Sequence, residues 1–146
     1  MTAKKPPATR SDFRHFLRIP TRWADVDIYG HVNNVVYYAY FDTVVNEYLI
    51  KAGVLSPAES EVIGLVVETR CRFHKSLGFP GTVDAGIFVS RLGKTSVTYE
   101  IGLFDGDSEI AAADGHFIHV YVDRNSRRPS PLPKELKRAL SILEIS

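Results

Sequence analysis

Between Asn34 and Ala52 neither glycine nor proline interrupts the chain, and apolar residues recur at Tyr37, Tyr38, Phe41, Val44, Val45, Tyr48, Leu49 and Ala52. That i, i+3, i+4, i+7 spacing predicts a helix of about five turns with one buried stripe, and Asp42, Asn46 and Glu47 fall off the stripe. Asn33 or Asn34 suits the N-cap, and Gly53 stands where a glycine closes a helix. After it the period changes to two. Residues 62–74 alternate, with Leu65, Val67, Cys71 and Phe73 on one face and Glu68, Arg70 and Arg72 on the other. Residues 82–92 align Val83, Ala85, Ile87 and Val89, and residues 96–104 align Val97, Tyr99, Ile101 and Leu103. Gly93-Lys94 and the DGDS at 105–108 read as hairpin turns, LGFPG at 77–81 as another turn, and 109–122 as a long last strand. Ahead of the helix, 13–23 is strand-like, and Pro20 within it favours an edge or bulged strand. Residues 133–145 form a short amphipathic helix with Leu136, Leu140 and Leu143 inward. One long apolar helix beside hairpin-linked, one-faced strands predicts an α+β, two-layer domain: a helix wrapped by a curved, mainly antiparallel five-stranded sheet.

Composition narrows the function classes. The chain has 146 residues, 45% of them hydrophobic, enough for one domain with a real core, placed at 13–146. Residues 1–12 are polar, basic and Pro-containing and are expected to form a disordered tail. Eighteen Lys+Arg against 17 Asp+Glu leave a formal net charge of +1, so neither nucleic acid nor an anionic membrane is an expected partner. The single cysteine, Cys71, excludes an internal disulfide and any multi-cysteine zinc site. No apolar run reaches the roughly 20 residues of a membrane span, and the first residues lack the apolar core of a secretory signal. The expected location is the cytoplasm.

The chemistry concentrates in Arg22-Trp23-Ala24-Asp25-Val26-Asp27-Ile28-Tyr29-Gly30-His31-Val32-Asn33-Asn34, directly before the long helix. The first turn of a helix presents unpaired N–H groups with a partial positive charge behind them. Such donors can hold a carbonyl oxygen as it becomes an oxyanion, and a nearby carboxylate can act on the same carbonyl as base or nucleophile. Capping alone accounts for Asn33 and Asn34 equally well. It does not account for both Asp25 and Asp27, which lie well upstream of any cap.

The order of elements, together with D-x-D-x-x-G-H-V-N-N and the Tyr-rich helix that follows, resembles the hotdog-fold acyl-CoA thioesterases, more narrowly the 4-hydroxybenzoyl-CoA thioesterase-like group. The resemblance runs from about Phe13 to Leu143 and includes the strand half, RCRFHKSLGFPGTVDAGIFVSRLGKTSVTYEIGLF. It implies hydrolysis of an acyl-CoA to a carboxylic acid and CoA, with no cofactor. It implies subunits joined sheet edge to sheet edge as a homodimer, often paired again into a homotetramer, with the active site at the dimer interface. Asp27 then matches the catalytic carboxylate, as general base or nucleophile. The matching oxyanion donors are backbone N–H groups at the helix start, Asn34 first, Val32 or Asn33 after it. His31 is a candidate proton donor to the leaving thiolate, although CoA thiolate leaves readily without one. The prototype hydroxybenzoyl enzymes carry apolar residues after the motif glycine, so His31-Val32-Asn33-Asn34 argues against assigning an aromatic acyl group.

Other residues sort around that frame. Asp25 reads as structural, paired with Arg22 or with loop amides. Tyr37 and Phe41 read as core, and Glu68 as an interface or solvent residue. Arg91, Lys94, Thr95 and Ser96, at the hairpin between the third and fourth strands, are candidates for the CoA phosphates, with Arg72, His74 and Lys75 as a second set. No metal site is expected: Asp27 and His31 are four apart but separated by Gly30, and His116 and His119 point to opposite strand faces. Two other readings keep the fold. One is a non-catalytic acyl-CoA-binding or interaction module. The other is a 3-hydroxyacyl thioester dehydratase or hydratase, whose differently spaced, Asn-Pro-containing motif is absent here.

Overall fold

In the computed structural model, which describes residues 5–145, the chain runs as β1 (His15–Pro20), α1 (Asn34–Lys51), β2 (Val62–Phe73), β3 (Thr82–Leu92), β4 (Ser96–Asp105), β5 (Ala113–Asp123) and α2 (Lys134–Ser141), with single-turn helices at Arg10–Asp12 and Trp23–Asp25. The five strands form one sheet in the order β1-β3-β4-β5-β2, and every neighbouring pair is antiparallel. The alternation of β3 and β4 is what lets them line the core: Val83, Ala85, Ile87, Val97, Tyr99, Ile101 and Leu103 are buried against the α1 stripe of Phe41, Val44, Val45 and Leu49. Tyr40, which the stripe does not include, is buried as well, because its hydroxyl reaches a carboxylate beneath the helix. Pro20 ends β1, an edge strand with no ladder beyond it. Helix α2 is shorter than its pattern suggests. Pro133 is its N-cap residue, and Leu143 stays buried beyond its end, where its carbonyl accepts the Val89 amide at 2.9 Å.

Strand β2 departs from simple alternation. Its pairing with β5 slips between Val66 and Glu68, leaving Val67 as an extra residue. A bulge of this kind exchanges the faces on its two sides. Gly64 and Val66 therefore share the inner face with Thr69, Cys71 and Phe73, and Leu65 turns outward, away from the face it was expected to share. Where β5 meets β2, Gly115 leaves no room for a side chain: a Cβ there would stand 1.8 Å from the Arg70 carbonyl oxygen and 2.9 Å from the Phe41 ring.

The amino-terminal segment is tied to the outer face of the sheet. Residues 1–4 of the expected tail lie outside the described residues, but 8–12 are pinned. The Ala8 amide donates to Asp114 at 2.8 Å, Thr9 bridges to Ile110, and Arg10 donates to Asp84 and to the carbonyls of Gly106 and Ser108. Arg10 also lies over the rings of Phe16 and Phe104. Arg72 is paired with Asp114 and donates to the carbonyls of Lys5 and Pro6. Phe13 then drops between strands onto Gly86 and Gly102, whose missing side chains make its seat.

Candidate active site

The Asp- and Gly-rich segment before α1 folds as a miniature hairpin. Val26 pairs with Val32 in an isolated antiparallel bridge, the Asp27 amide donates to the His31 carbonyl at 2.9 Å, and the Asn33 amide donates to the Asp25 carbonyl at 2.8 Å. Gly30, at φ +81°, turns the tip, a conformation that glycine adopts without strain. The two acids of the motif divide in role. Asp25 is 1% exposed and accepts from the Arg22 guanidinium, the Arg22 amide and the Tyr40 hydroxyl. Burial opposes its charge, but these donors outweigh burial and hold its pKa below the ordinary aspartate value. Asp27 sits beside the hairpin's turn, opposite His31. Its Oδ1 accepts from the Tyr29 amide at 2.9 Å and, at longer range, from the His31 amide at 3.5 Å. Among the described residues its Oδ2 has no hydrogen-bond partner.

An accounting of the amides at the helix start separates the three candidate donors. The Val32 amide is spent on the Leu77 carbonyl at 2.8 Å, and the Asn33 amide on Asp25. The Asn33 side chain caps α1 by accepting from the Val35 amide at 3.0 Å, and the Asn33 carbonyl accepts from Val36. Among the described residues the Asn34 amide alone in the run 32–36 has no acceptor. Asn34 is the first residue of α1 and is exposed.

Asp27, His31 and Asn34 come together in one open cleft of about 360 Å³, whose far wall is Tyr37, Phe73, His74, Lys75 and Ser76. Tyr37, placed in the core by its spacing, is indeed buried but also faces this cleft. Its hydroxyl accepts the Leu77 amide at 3.2 Å and its ring meets the Phe73 ring edge-on at 4.9 Å. Burial raises its pKa, and the nearby Asp27 charge adds to the rise. Of the second set of CoA candidates, Lys75 lines the cleft, while Arg72 and His74 are both engaged by Asp114. The hairpin of Arg91, Lys94, Thr95 and Ser96 lies elsewhere. Ser96 pairs with Val120, whereas Leu103, seven residues further along β4, pairs with Ala113 beside Phe73. At about 3.4 Å per residue the hairpin stands some 24 Å from the cleft end of the same sheet. Among the described residues no three His, Cys, Asp or Glu side chains gather as a metal site requires, and no helix is long and apolar enough to cross a membrane.

A family model described as the thioesterase-like superfamily matches residues 21–140. Among solved structures, the PA5185 protein of Pseudomonas aeruginosa strain PAO1 is 50% identical over 97% of this chain and 99% of its own, with a TM-score of 0.94. A DHNA-CoA thioesterase from Staphylococcus aureus is 22% identical over 80% of this chain and 79% of its own, with a TM-score of 0.72. Slr0204, a 1,4-dihydroxy-2-naphthoyl-CoA thioesterase from Synechocystis, is 13% identical over 86% and 94%, with a TM-score of 0.79. The last two share the hotdog fold with this chain. No curated protein sequence matches it.

Proposed function

Because the chain belongs to the thioesterase-like superfamily and is a thioester hydrolase, we propose that its substrate is an acyl-CoA, cleaved to a carboxylic acid and CoA in the cleft before α1. The observation that carries this reading is the pairing, in one cleft, of a carboxylate oxygen, Asp27 Oδ2, and a helix-opening amide, Asn34 N–H, neither of which is engaged among the described residues. The thioester carbonyl oxygen meets the Asn34 N–H, where the helix's partial positive charge stabilises the developing oxyanion. Asp27, steadied through Oδ1 by the Tyr29 amide, either attacks the carbonyl carbon or takes a proton from the water that does. The carbon–sulfur bond then breaks and CoA leaves as the thiolate, with His31 at the cleft mouth as the candidate to protonate it; after direct attack a water then hydrolyses the acyl–Asp27 anhydride, which releases the acid and frees the carboxylate. Lys75 is the Lys or Arg side chain among the described residues that lines the cleft.

Self-association fits the same scheme. Strand β2 is an edge with Val66 and Val67 exposed on it, a template for pairing with a second copy. An antiparallel two-fold along β2 sets the hairpin end of one sheet beside the cleft end of the other, and so offers Arg91, Lys94, Thr95 and Ser96 to the CoA phosphates of the neighbouring site.

The test is a panel of acyl-CoA thioesters with free-thiol detection. Asp27→Asn should lower hydrolysis by about 10²-fold or more. Asn34→Pro removes the amide hydrogen together with the side chain and leaves the backbone in place, since proline is at home in the first helical position and Asn33, at φ −63° and ψ 139°, already has the extended backbone that a following proline demands. It should cost about 10²–10³-fold in rate with the fold intact, while Asn34→Ala, which keeps the amide, stays near wild type. Full activity in Asn34→Pro removes the oxyanion assignment. Acyl-CoA binding without thiol release, or loss of an enoyl group with the thioester intact, removes the hydrolase reading itself. Single turnover in ¹⁸O water tests direct attack: an acyl–Asp27 anhydride opened by water at the Asp27 carboxyl carbon leaves an enzyme oxygen in the first product acid, whereas the general-base route puts solvent oxygen there every time.

A further inference from the structure

Tyr37 follows Asn34 by three residues on α1, so the two are neighbours on the helix surface. A helical side chain leans toward the amino terminus and covers the turn before its own Cα. The Tyr37 side chain therefore lies over the turn that Asn34 opens, on the cleft side, where Phe73 braces its ring. Its hydroxyl has one hydrogen to give and two lone pairs. One lone pair receives the Leu77 amide. Among the described residues the hydrogen has no acceptor. A purely structural tyrosine explains the first of these facts, because phenylalanine would leave the Leu77 amide without its acceptor. It does not explain a hydroxyl hydrogen that finds no acceptor among the described residues, a state that costs free energy unless something in the cleft receives it.

We propose that the Tyr37 hydroxyl is a second hydrogen-bond donor of the site, meeting the same thioester oxygen as the Asn34 amide. This rests on the hydrolase reading and adds a side-chain donor to the backbone one. Leu77 couples the two: its amide steadies the phenol, and its carbonyl holds the Val32 amide two residues before Asn34. One residue, through the two peptide units that flank it, thus ties both donors to the same stretch of chain. The proton stays on the phenol throughout, since burial raises its pKa; the contribution is a hydrogen bond that strengthens as the oxygen gains charge.

The test is Tyr37→Phe in the full chain, read as a split between kcat and KM. A donor to the oxyanion predicts kcat lower by about 10–10²-fold with KM changed by less than about threefold. It also predicts that Tyr37→Phe combined with Asn34→Pro loses less than the product of the single losses, because both serve one oxygen. A folded Tyr37→Phe enzyme within twofold of wild-type kcat overturns the proposal, as does a loss that appears equally in KM. Should Tyr37→Phe not fold, 3-fluorotyrosine and 3,5-difluorotyrosine at position 37 keep the Leu77 contact while making the phenol progressively more acidic. A stepwise change in kcat at constant KM supports the donor role, and a flat series overturns it. Wild-type protein inactive on every thioester defeats the hydrolase reading; active wild type with an unaffected Tyr37→Phe defeats this proposal alone.

Discussion

Two aspartates two residues apart live in opposite surroundings. Asp25 is enclosed by Arg22 and Tyr40, while Asp27 keeps one oxygen free at the cleft. Asp25→Ala strands the Tyr40 hydroxyl in the interior and should cost about 2–4 kcal/mol of stability in a denaturant titration, with activity falling because the hairpin shifts. The structural part of Asp25 is legible from the sequence, since Arg22 stands three residues away. The free amide of Asn34 is not, because its singularity depends on where the carbonyls of Asp25 and Leu77 fall, and Leu77 lies more than forty residues away. His119 is another residue whose state only the fold reveals. It is 4% exposed among Tyr99, Phe117 and Tyr121, with neither ring nitrogen hydrogen-bonded among the described residues. Burial lowers its pKa from 6.5 to about 4. The unfolded chain therefore takes up the proton first, and stability should fall as pH drops from about 6.5 to about 4, by on the order of 3 kcal/mol, then level off for this group. His119→Leu should flatten that stretch of a stability-against-pH curve. Asp25, Asp84 and Asp114 act lower still. Their depressed pKa values contribute stability that is present above the ordinary carboxylate value and lost as pH falls from there through their lower folded values.

Elements were readable to the extent that one period governs them. The stripe of α1 and the alternation of β3 and β4 come from local geometry that the residues announce themselves. The bulge at Val67 does not, because nothing within β2 marks it; it exists only in the register with β5. The same holds for Gly115, which in sequence is one glycine among several polar residues and in the sheet is the point of closest approach to Arg70. Gly115→Ala should force β5 and β2 apart and lower stability by about 3 kcal/mol, the upper end for overpacking, seen as an earlier thermal transition. The amino-terminal segment misleads in the opposite sense. Its basic, Pro-containing composition points to disorder, whereas Arg10 finds Asp84 and two carbonyls that lie far along the chain.

Across the whole molecule the sheet carries different surfaces. Its inner face holds α1, its outer face is strapped by residues 5–13, and the β2 edge is open. Arg10→Ala leaves Asp84 with Arg18 alone and uncovers the Phe16 and Phe104 rings. It should lower stability by about 1–3 kcal/mol while leaving the kinetics of folded protein near wild type, since nothing of the cleft is touched. Val66→Lys places a charge on the open edge. If the subunits pair along β2, sedimentation should show a smaller particle, and activity should fall with it.

The miniature hairpin has a practical consequence. Its stem is fastened at Asp25, Val26, Val32 and Asn33, whereas Ile28 and Tyr29 at the tip are largely exposed. Their side chains project away from the helix opening, while the tip's backbone is fixed in length because the Tyr29 amide holds Asp27 Oδ1 at 2.9 Å. Either side chain is therefore the place to attach a fluorescent label, reporting on occupancy of the cavity beside it while the backbone that steadies Asp27 keeps its length.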